Sequence, residues 1–513
     1  MSENRGVVAA GHTVTVEAAA EVLREGGNAF DAVISAIVTA TVPEFVFSSI
    51  GGGGFLMAKP ASAKHAVCYD FFAQTPRRKR PEDEIEFYAI EADFGPATQE
   101  FHIGAGSTAV PGIVPGLFAI HADLGTLPMT RLIEPAVEAA RKGVTVSDLH
   151  AYLYTIVAPI LQASREARHY FVPGGALLGA GSSYRNPEFA DTLDCLAREG
   201  ERFYAEGEVG QAIVAQSAHN GGQLTMEDLK AYRVERRKPL AWQYRDRELF
   251  LNPPPAASGA LIAFGLGLLQ HALHEGDAPD PLLLARVMEE TNTVRSANGA
   301  QLDAIIADKT IAAHMKTIAG HRPATRGTTH ISIIDAAGNA AAATITNGEG
   351  NGRMVDGCGF MLNNMLGEED LNPDGFHSWP PDTRLSTMMA PTLMTSGDGA
   401  LTALGSGGSN RIRTAILQVA VNLADRDMGL DDAVNAARLH VERDGMVSYE
   451  QANWDIAFND DQRDALIDAF PDAHGWPEPN LFFGGVHATR KGGKGAFEGA
   501  GDPRREGVSM IVR

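Results

Sequence analysis

Two adjacent threonines, Thr328 and Thr329, stand with His330 at the head of an alternating run, Ile331-Ser332-Ile333-Ile334. A threonine hydroxyl is a weak nucleophile unless a base sits beside it. A threonine that begins a polypeptide carries that base as its own α-amine, which titrates at about 7.7–8.0 and can take up and return a proton near neutral pH. Thr328 lies inside the chain, so this chemistry requires a cut between Gly327 and Thr328. Gly327 suits such a cut, since it adds no side-chain obstruction and tolerates unusual backbone angles. Taken alone, the same residues also read as the start of a strand rich in β-branched side chains.

The elements around these residues decide between the two readings. Asp335-Ala336-Ala337-Gly338-Asn339 supplies turn residues, and residues 340–346 read as a return strand, so a hairpin with a half-buried first strand is expected. Acyl transfer also needs donors aimed at an oxyanion. Gly405-Ser406-Gly407-Gly408-Ser409 precedes a helix expected over 412–425, which lets its backbone N–H groups face an anion. No Gly-Lys-Ser/Thr follows, which sets aside a phosphate loop. The glycine run 51–54 leads into a strand over 55–58 rather than opening a helix, and reads as tight packing near the site.

Helical spacing predicts helices over 12–26, with Thr13 or Thr15 placed to cap, and over 29–41, 113–124, 130–142, 188–199, 212–219, 258–271 and 282–297. Residues 244–251 read as one strand ending at Pro253-Pro254-Pro255, and 276–281 as a surface loop. The polar, turn-rich segment 319–327 has the character of an accessible cleavage segment. There is no internal repeat and no low-complexity linker.

The chain has 513 residues, 44% hydrophobic and 21% charged, long enough for one large core or several domains. A net charge of −21 argues against nucleic acid or an anionic membrane surface as a partner. Cys68, Cys195 and Cys358 are an odd, sparse set that implies neither a disulfide framework nor a metal site. The first residues lack a secretory pattern and no run is long enough to span a bilayer, so the cytoplasm is the expected compartment.

Gly327-Thr328-Thr329-His330 followed by a strand and Asp335-x-x-Gly338-Asn339 resembles the gamma-glutamyltranspeptidase (glutathione hydrolase) family of amino-terminal-nucleophile hydrolases. Further stretches are similar to hallmarks of that family in the same order. They include Gly26-Gly27-Asn28-Ala29-Phe30-Asp31, Ser48 to Phe55, Val110-Pro111-Gly112, Gly221 to Asp228, Asn363-Asn364, Leu385-Ser386-Thr387-Met388 and Gly405 to Ser409. The resemblance implies an α+β fold, a four-layer α/β/β/α sandwich, made as one chain and split into fragments 1–327 and 328–513 that stay together as a heterodimer. It implies Thr328 as nucleophile and Gly327–Thr328 as the cleavage site. It also implies Thr346, 18 positions on, as a hydrogen-bonding partner of the nucleophile, and Gly407 and Gly408 as oxyanion donors. The reaction needs no metal or organic cofactor; water or an amino-acid or peptide amine accepts the acyl group.

Substrate contacts follow the resemblance less closely. The arginine that meets an α-carboxylate is replaced by Phe72, and a phenyl ring cannot form the bidentate bond of a guanidinium. Arg77 and Arg78 follow closely and are candidates to substitute. Ser386 and Thr387 stand for the family's serine pair, Glu368 for the carboxylate that holds an α-ammonium, and Asn347 or Glu349 for a further ligand contact. Three readings are open. The first is a γ-glutamyl hydrolase or transferase acting on glutathione-like amides. The second is an amidohydrolase or acylase whose substrate lacks the α-amino acid end, the reading that Phe72 favours. The third is an uncut, non-enzymatic protein.

Overall fold

The computed structural model describes residues 4–93, 98–274, 276–298, 305–307, 327–372, 374–442 and 444–513. The expected cleavage segment lies outside the described residues except for Gly327.

Two antiparallel sheets organise the chain. The seven-stranded sheet runs Val508–Val512, Gly6–Ala10, Thr329–Asp335, Ala340–Thr346, Gly53–Lys59, Val67–Phe71, Glu235–Arg237. The six-stranded sheet runs Phe497–Ala500, Gly485–Lys491, Leu401–Gly407, Thr392–Ser396, Arg247–Leu251, Leu240–Tyr244. The sheets face each other where the Thr329–Asp335 strand lies over Leu401–Gly407 and Gly485–Lys491. Helices Thr13–Arg24 and Ala29–Ala40 pack on the first sheet, and Ser258–Ala272 and Arg411–Ala424 pack on the second.

The hairpin forms as expected, with Ile331 opposite Ala343 and Ile333 opposite Ala341. Its turn is closed by Asp335, whose carboxylate accepts from the N–H groups of Gly338 (3.0 Å) and Asn339 (2.9 Å). The same carboxylate accepts from Ala29 N (3.0 Å), tying the turn to the first turn of the Ala29–Ala40 helix. That helix starts in a reciprocal capping box between Asn28 and Asp31 and is buried along its whole length.

The first strand is not half-buried. Both its faces are covered: Ile331 and Ile333 join the core under the helices, while His330, Ser332 and Ile334 meet the second sheet. Alternation in the sequence marks two different environments here, not core against water. The Ala340–Thr346 strand carries alanines toward both layers, which lets helix and sheet approach closely.

Three further expectations change. His12, not a threonine, caps the first helix, its Nδ1 accepting from Val14 N (3.1 Å), while Thr15 turns inward to Glu44. The single strand over 244–251 is two strands, Leu240–Tyr244 and Arg247–Leu251, because Arg245 adopts φ 53° and reverses the chain. The helix expected over 212–219 begins earlier, at Glu208. No helix among the described residues is long and apolar enough to cross a membrane.

Candidate active site

Gly327 and Thr328 sit at the central hairpin's open end, in the gap between the two sheets. Thr328 Oγ1 lies 2.6 Å from the Gly327 carbonyl oxygen, and Thr346 Oγ1 lies 2.8 Å from the same oxygen. Thr346 Oγ1 also accepts from Gly348 N (3.0 Å), so its own proton is directed at the Gly327 carbonyl. Two hydroxyls therefore converge on one peptide oxygen. On the other side of that residue, Gly327 N donates to Glu349 Oε1 (3.1 Å). Thr328 and Thr346 are both nearly fully buried.

The loop that carries these contacts depends on glycine. Gly348 has φ 64°, and a Cβ there would lie 2.2 Å from Asn364 Oδ1 and 2.3 Å from Glu368 Oε1. Only glycine fits both the left-handed backbone and that close approach. At Gly407 close approach alone requires glycine: a Cβ would lie 2.1 Å from the Thr328 carbonyl oxygen. The loop 405–409 thus packs directly on the Thr328 backbone, with Gly408 at φ 116° and Ser409 at φ 52° turning the chain into the Arg411–Ala424 helix.

Phe72, Gly327, Thr328, Thr346, Glu368 and Thr387 border one cleft, joined by Asp370, Leu371, Met388, Met389, Ser409 and Ile412. Its free space is about 30 Å³, room for one or two waters, with Gly327 in its lining. Phe72 is buried and stacks on Phe55, ring centroids 5.7 Å apart. Arg77 and Arg78 do not replace the missing arginine. Arg77 turns to Glu227 (3.6 Å) and Asp382 (3.5 Å), and Arg78 to Glu227 (3.4 Å), partners from distant segments that draw both outward. Arg384 comes closer but stays behind the pocket wall, where it is bound by Phe72 O and the Tyr232 hydroxyl. No lysine or arginine is among the described residues lining the cleft.

Two expected contact residues do not line this cleft. Ser386 is half-buried beside Thr387, and Asn347 is buried where the chain leaves the return strand, its N–H donating to Phe47 O (3.2 Å). Several residues that border or brace the site were not foreseen. Asp370 adds a second carboxylate beside Glu368, and Ser409 Oγ approaches it at 3.5 Å. Arg505 Nη1 donates to the Thr328 carbonyl (3.1 Å). Glu44 accepts from Thr329 Oγ1 (2.7 Å), and burial raises its pKa to about 7. His330 is bonded to Thr344 Oγ1 (2.8 Å) and Ser332 Oγ (2.9 Å), and burial holds it well below the usual imidazole range. It is a neutral strut under Gly405, turned away from Thr328. A buried acid such as Glu44 and a late Asp-Pro-Arg-Arg run carry no local signal for the contacts they make.

The sequence profile described as Gamma-glutamyltranspeptidase matches residues 15–512. The chain is 31% identical over 474 residues to the Acylase ACY 1 proenzyme of Pseudomonas sp. (strain V22), covering 88% of this chain and 84% of that one. It is 28% identical over 547 residues to the Glutathione hydrolase proenzyme of Pseudomonas aeruginosa, covering 99% and 95%. Its fold is similar to that of a cephalosporin acylase from Bacillus halodurans, with TM-score 0.85 and 21% identity over 99% of this chain and 96% of that one. The chain belongs to the gamma-glutamyltranspeptidase family.

Proposed function

We propose that the chain cuts itself before Thr328 and then hydrolyses or transfers the acyl group of a small amide whose acyl end carries no α-carboxylate. It is a hydrolase/transferase of its family; the nucleophile, the cut and the substrate class are the parts proposed. The observation that carries the chemistry is the convergence of the Thr328 and Thr346 hydroxyls on the Gly327 carbonyl. In the precursor, Thr328 Oγ1 adds to the Gly327 carbonyl carbon while Thr346 stabilises the oxyanion. The C–N bond breaks, the nitrogen of Thr328 takes up the proton, and water hydrolyses the resulting ester. This leaves a Gly327 carboxylate and a free Thr328 amine, in fragments 1–327 and 328–513. The amine then serves as base when Oγ1 attacks a substrate amide and as acid when the amine product leaves. Backbone N–H groups of Gly407 and Gly408, beside Thr328, are the assigned oxyanion donors. Water, or an amino-acid or peptide amine, releases the acyl group. The four-layer α/β/β/α sandwich of amino-terminal-nucleophile hydrolases is the frame we assign to it.

For specificity, Phe72 is the residue that supports this reading. Glu368, Asp370 and Thr387 suit an amine or hydroxyl on the acyl group, and Phe72 offers a ring face to a cation. A carboxylate there meets two acids, with no lysine or arginine among the described lining residues, and a lost charged hydrogen bond costs about 1.5–3 kcal/mol. The γ-glutamyl reading keeps one observation in its favour, the position of Glu368 in the cleft. Release of p-nitroaniline from 4-aminobutyryl, γ-glutamyl and glutaryl p-nitroanilides separates the two, because these differ only in amine and carboxylate. We expect Thr328-dependent release with kcat/KM about tenfold or more higher for the 4-aminobutyryl compound than for the γ-glutamyl one, and glutaryl slowest. A γ-glutamyl preference would reinstate the γ-glutamyl reading.

A further inference from the structure

Beside the start of the hairpin lie a buried carboxyl group, Glu44, and a buried guanidinium, Arg505, that the chemistry above does not use. Glu44 follows the Ala29–Ala40 helix, and Arg505 ends the short helix Pro503–Arg505 near the C-terminus. We propose that Glu44 and Arg505 are positioning residues that clamp residues 328–329 and hold the nucleophile in place once its bond to Gly327 is gone. The proposal rests on Thr328 as nucleophile.

Arg505 Nη1 holds the Thr328 carbonyl at 3.1 Å, and Glu44 Oε1 holds the Thr329 hydroxyl at 2.7 Å. Thr15 Oγ1 approaches the other oxygen of Glu44 at 3.4 Å. The chain makes room for both groups. A Cβ at Gly11 would lie 2.4 Å from Glu44 Oε1, and a Cβ at Gly485 would lie 2.5 Å from Arg505 Cδ. Arg505 is further fixed over the Phe47 ring, 5.1 Å from its centroid. Asp502, which caps its helix, is locked by Arg438 (2.6 Å) and Arg504 (3.2 Å).

Strand pairing shows why a clamp is needed. The Gly6–Ala10 strand pairs as far as Ala10 with Ile331 and stops, so residues 328–330 have no ladder partner on that side. A new N-terminus in that position would fray, as chain ends do unless tied down. Side-chain contacts from Glu44 and Arg505 replace the missing backbone ladder. The guanidinium also sits beside the residue whose α-amine must be uncharged to act as base, and a nearby cation disfavours the ammonium form. Asp502, Glu506 and Arg411 are the other charged groups facing these two residues.

The test uses full-length Glu44→Gln, Arg505→Met and Arg505→Lys, with Thr328→Ala as control. Self-cleavage half-time, kcat and KM on the best p-nitroanilide, the pH profile of kcat/KM and the melting midpoint are measured. We expect Glu44→Gln and Arg505→Met to slow cleavage and lower kcat by about tenfold or more with KM within about twofold. Arg505→Lys restores most of the rate, Arg505→Met shifts the acid limb upward, and Glu44→Gln melts no lower than wild type. Thr329→Val cuts the same link from the other side if Glu44→Gln is not recovered folded. Wild-type cleavage and turnover in Glu44→Gln, or a loss of rate that tracks a lower melting midpoint, would overturn the clamp. Cleavage of Thr328→Ala at the same bond would instead overturn the nucleophile assignment beneath it.

Discussion

Thr346 separates a strand residue from a catalytic one most cleanly. Its hydroxyl accepts from Gly348 N and donates to the Gly327 carbonyl, so Thr346→Val removes one oxyanion donor while keeping shape. Loss of such a donor costs about 10²–10³ in rate; time courses of self-cleavage should show that loss for Thr346→Val and near-recovery for Thr346→Ser. Glu44 makes a different prediction. Burial raises its folded pKa from 4.5 to about 7, so the folded state holds the proton more tightly than the unfolded chain. Its contribution to stability is complete below pH 4.5 and is lost as pH rises toward 7. At pH 8 the ionised, buried carboxylate costs roughly 3 kcal/mol. Glu44→Gln should therefore melt higher than wild type at pH 8, by a margin that shrinks toward pH 5, while cleaving more slowly. An equal or lower midpoint at pH 8 would contradict a buried charge kept at the expense of stability. Thr328 and Thr346 were singled out in the sequence because the run from Gly327 to Asn339 resembles the family's, which implies a second threonine 18 positions on. Glu44 and Arg505 were not: they reach residues 328 and 329 from nearly opposite ends of the chain, and nothing local marks either.

At the scale of elements, the site is a hairpin end pressed against a glycine loop. Gly407 touches the Thr328 carbonyl so closely that Gly407→Ala must push the nucleophile strand or the loop by more than an ångström. We expect that variant to fold, since the Arg411–Ala424 helix and both flanking strands keep their cores, yet to remain uncut for days by gel. Normal cleavage would show that the loop does not set the nucleophile's position. The hairpin, the Ala29–Ala40 helix and the helix after the glycine loop were readable from turn chemistry and apolar spacing. The split of 244–251 into two strands was not, because Arg245 is a non-glycine residue in the left-handed region. Nor was the outward turn of Arg77 and Arg78, which depends on Glu227 and Asp382 brought near by the fold.

Across the whole molecule, the proposed fragments are interleaved rather than adjacent. The Thr329–Asp335 and Ala340–Thr346 strands are paired on their outer edges by Gly6–Ala10 and Gly53–Lys59 from the other fragment. In the second sheet, Thr392–Ser396 pairs with Arg247–Leu251. Both cores draw on both sides of the cut. The fragments should co-elute on size exclusion in native buffer and separate only in denaturant; separation in buffer would mean the cut is elsewhere. The central claim is that a cut before Thr328 creates the working nucleophile, and intact-mass measurement with N-terminal sequencing tests it most directly. Active wild-type protein should resolve into two chains, the second beginning Thr328-Thr329-His330, and Thr328→Ala should stay one inactive chain. An active wild type that remains a single chain, or a Thr328→Ala chain cut at the same bond, would contradict the account.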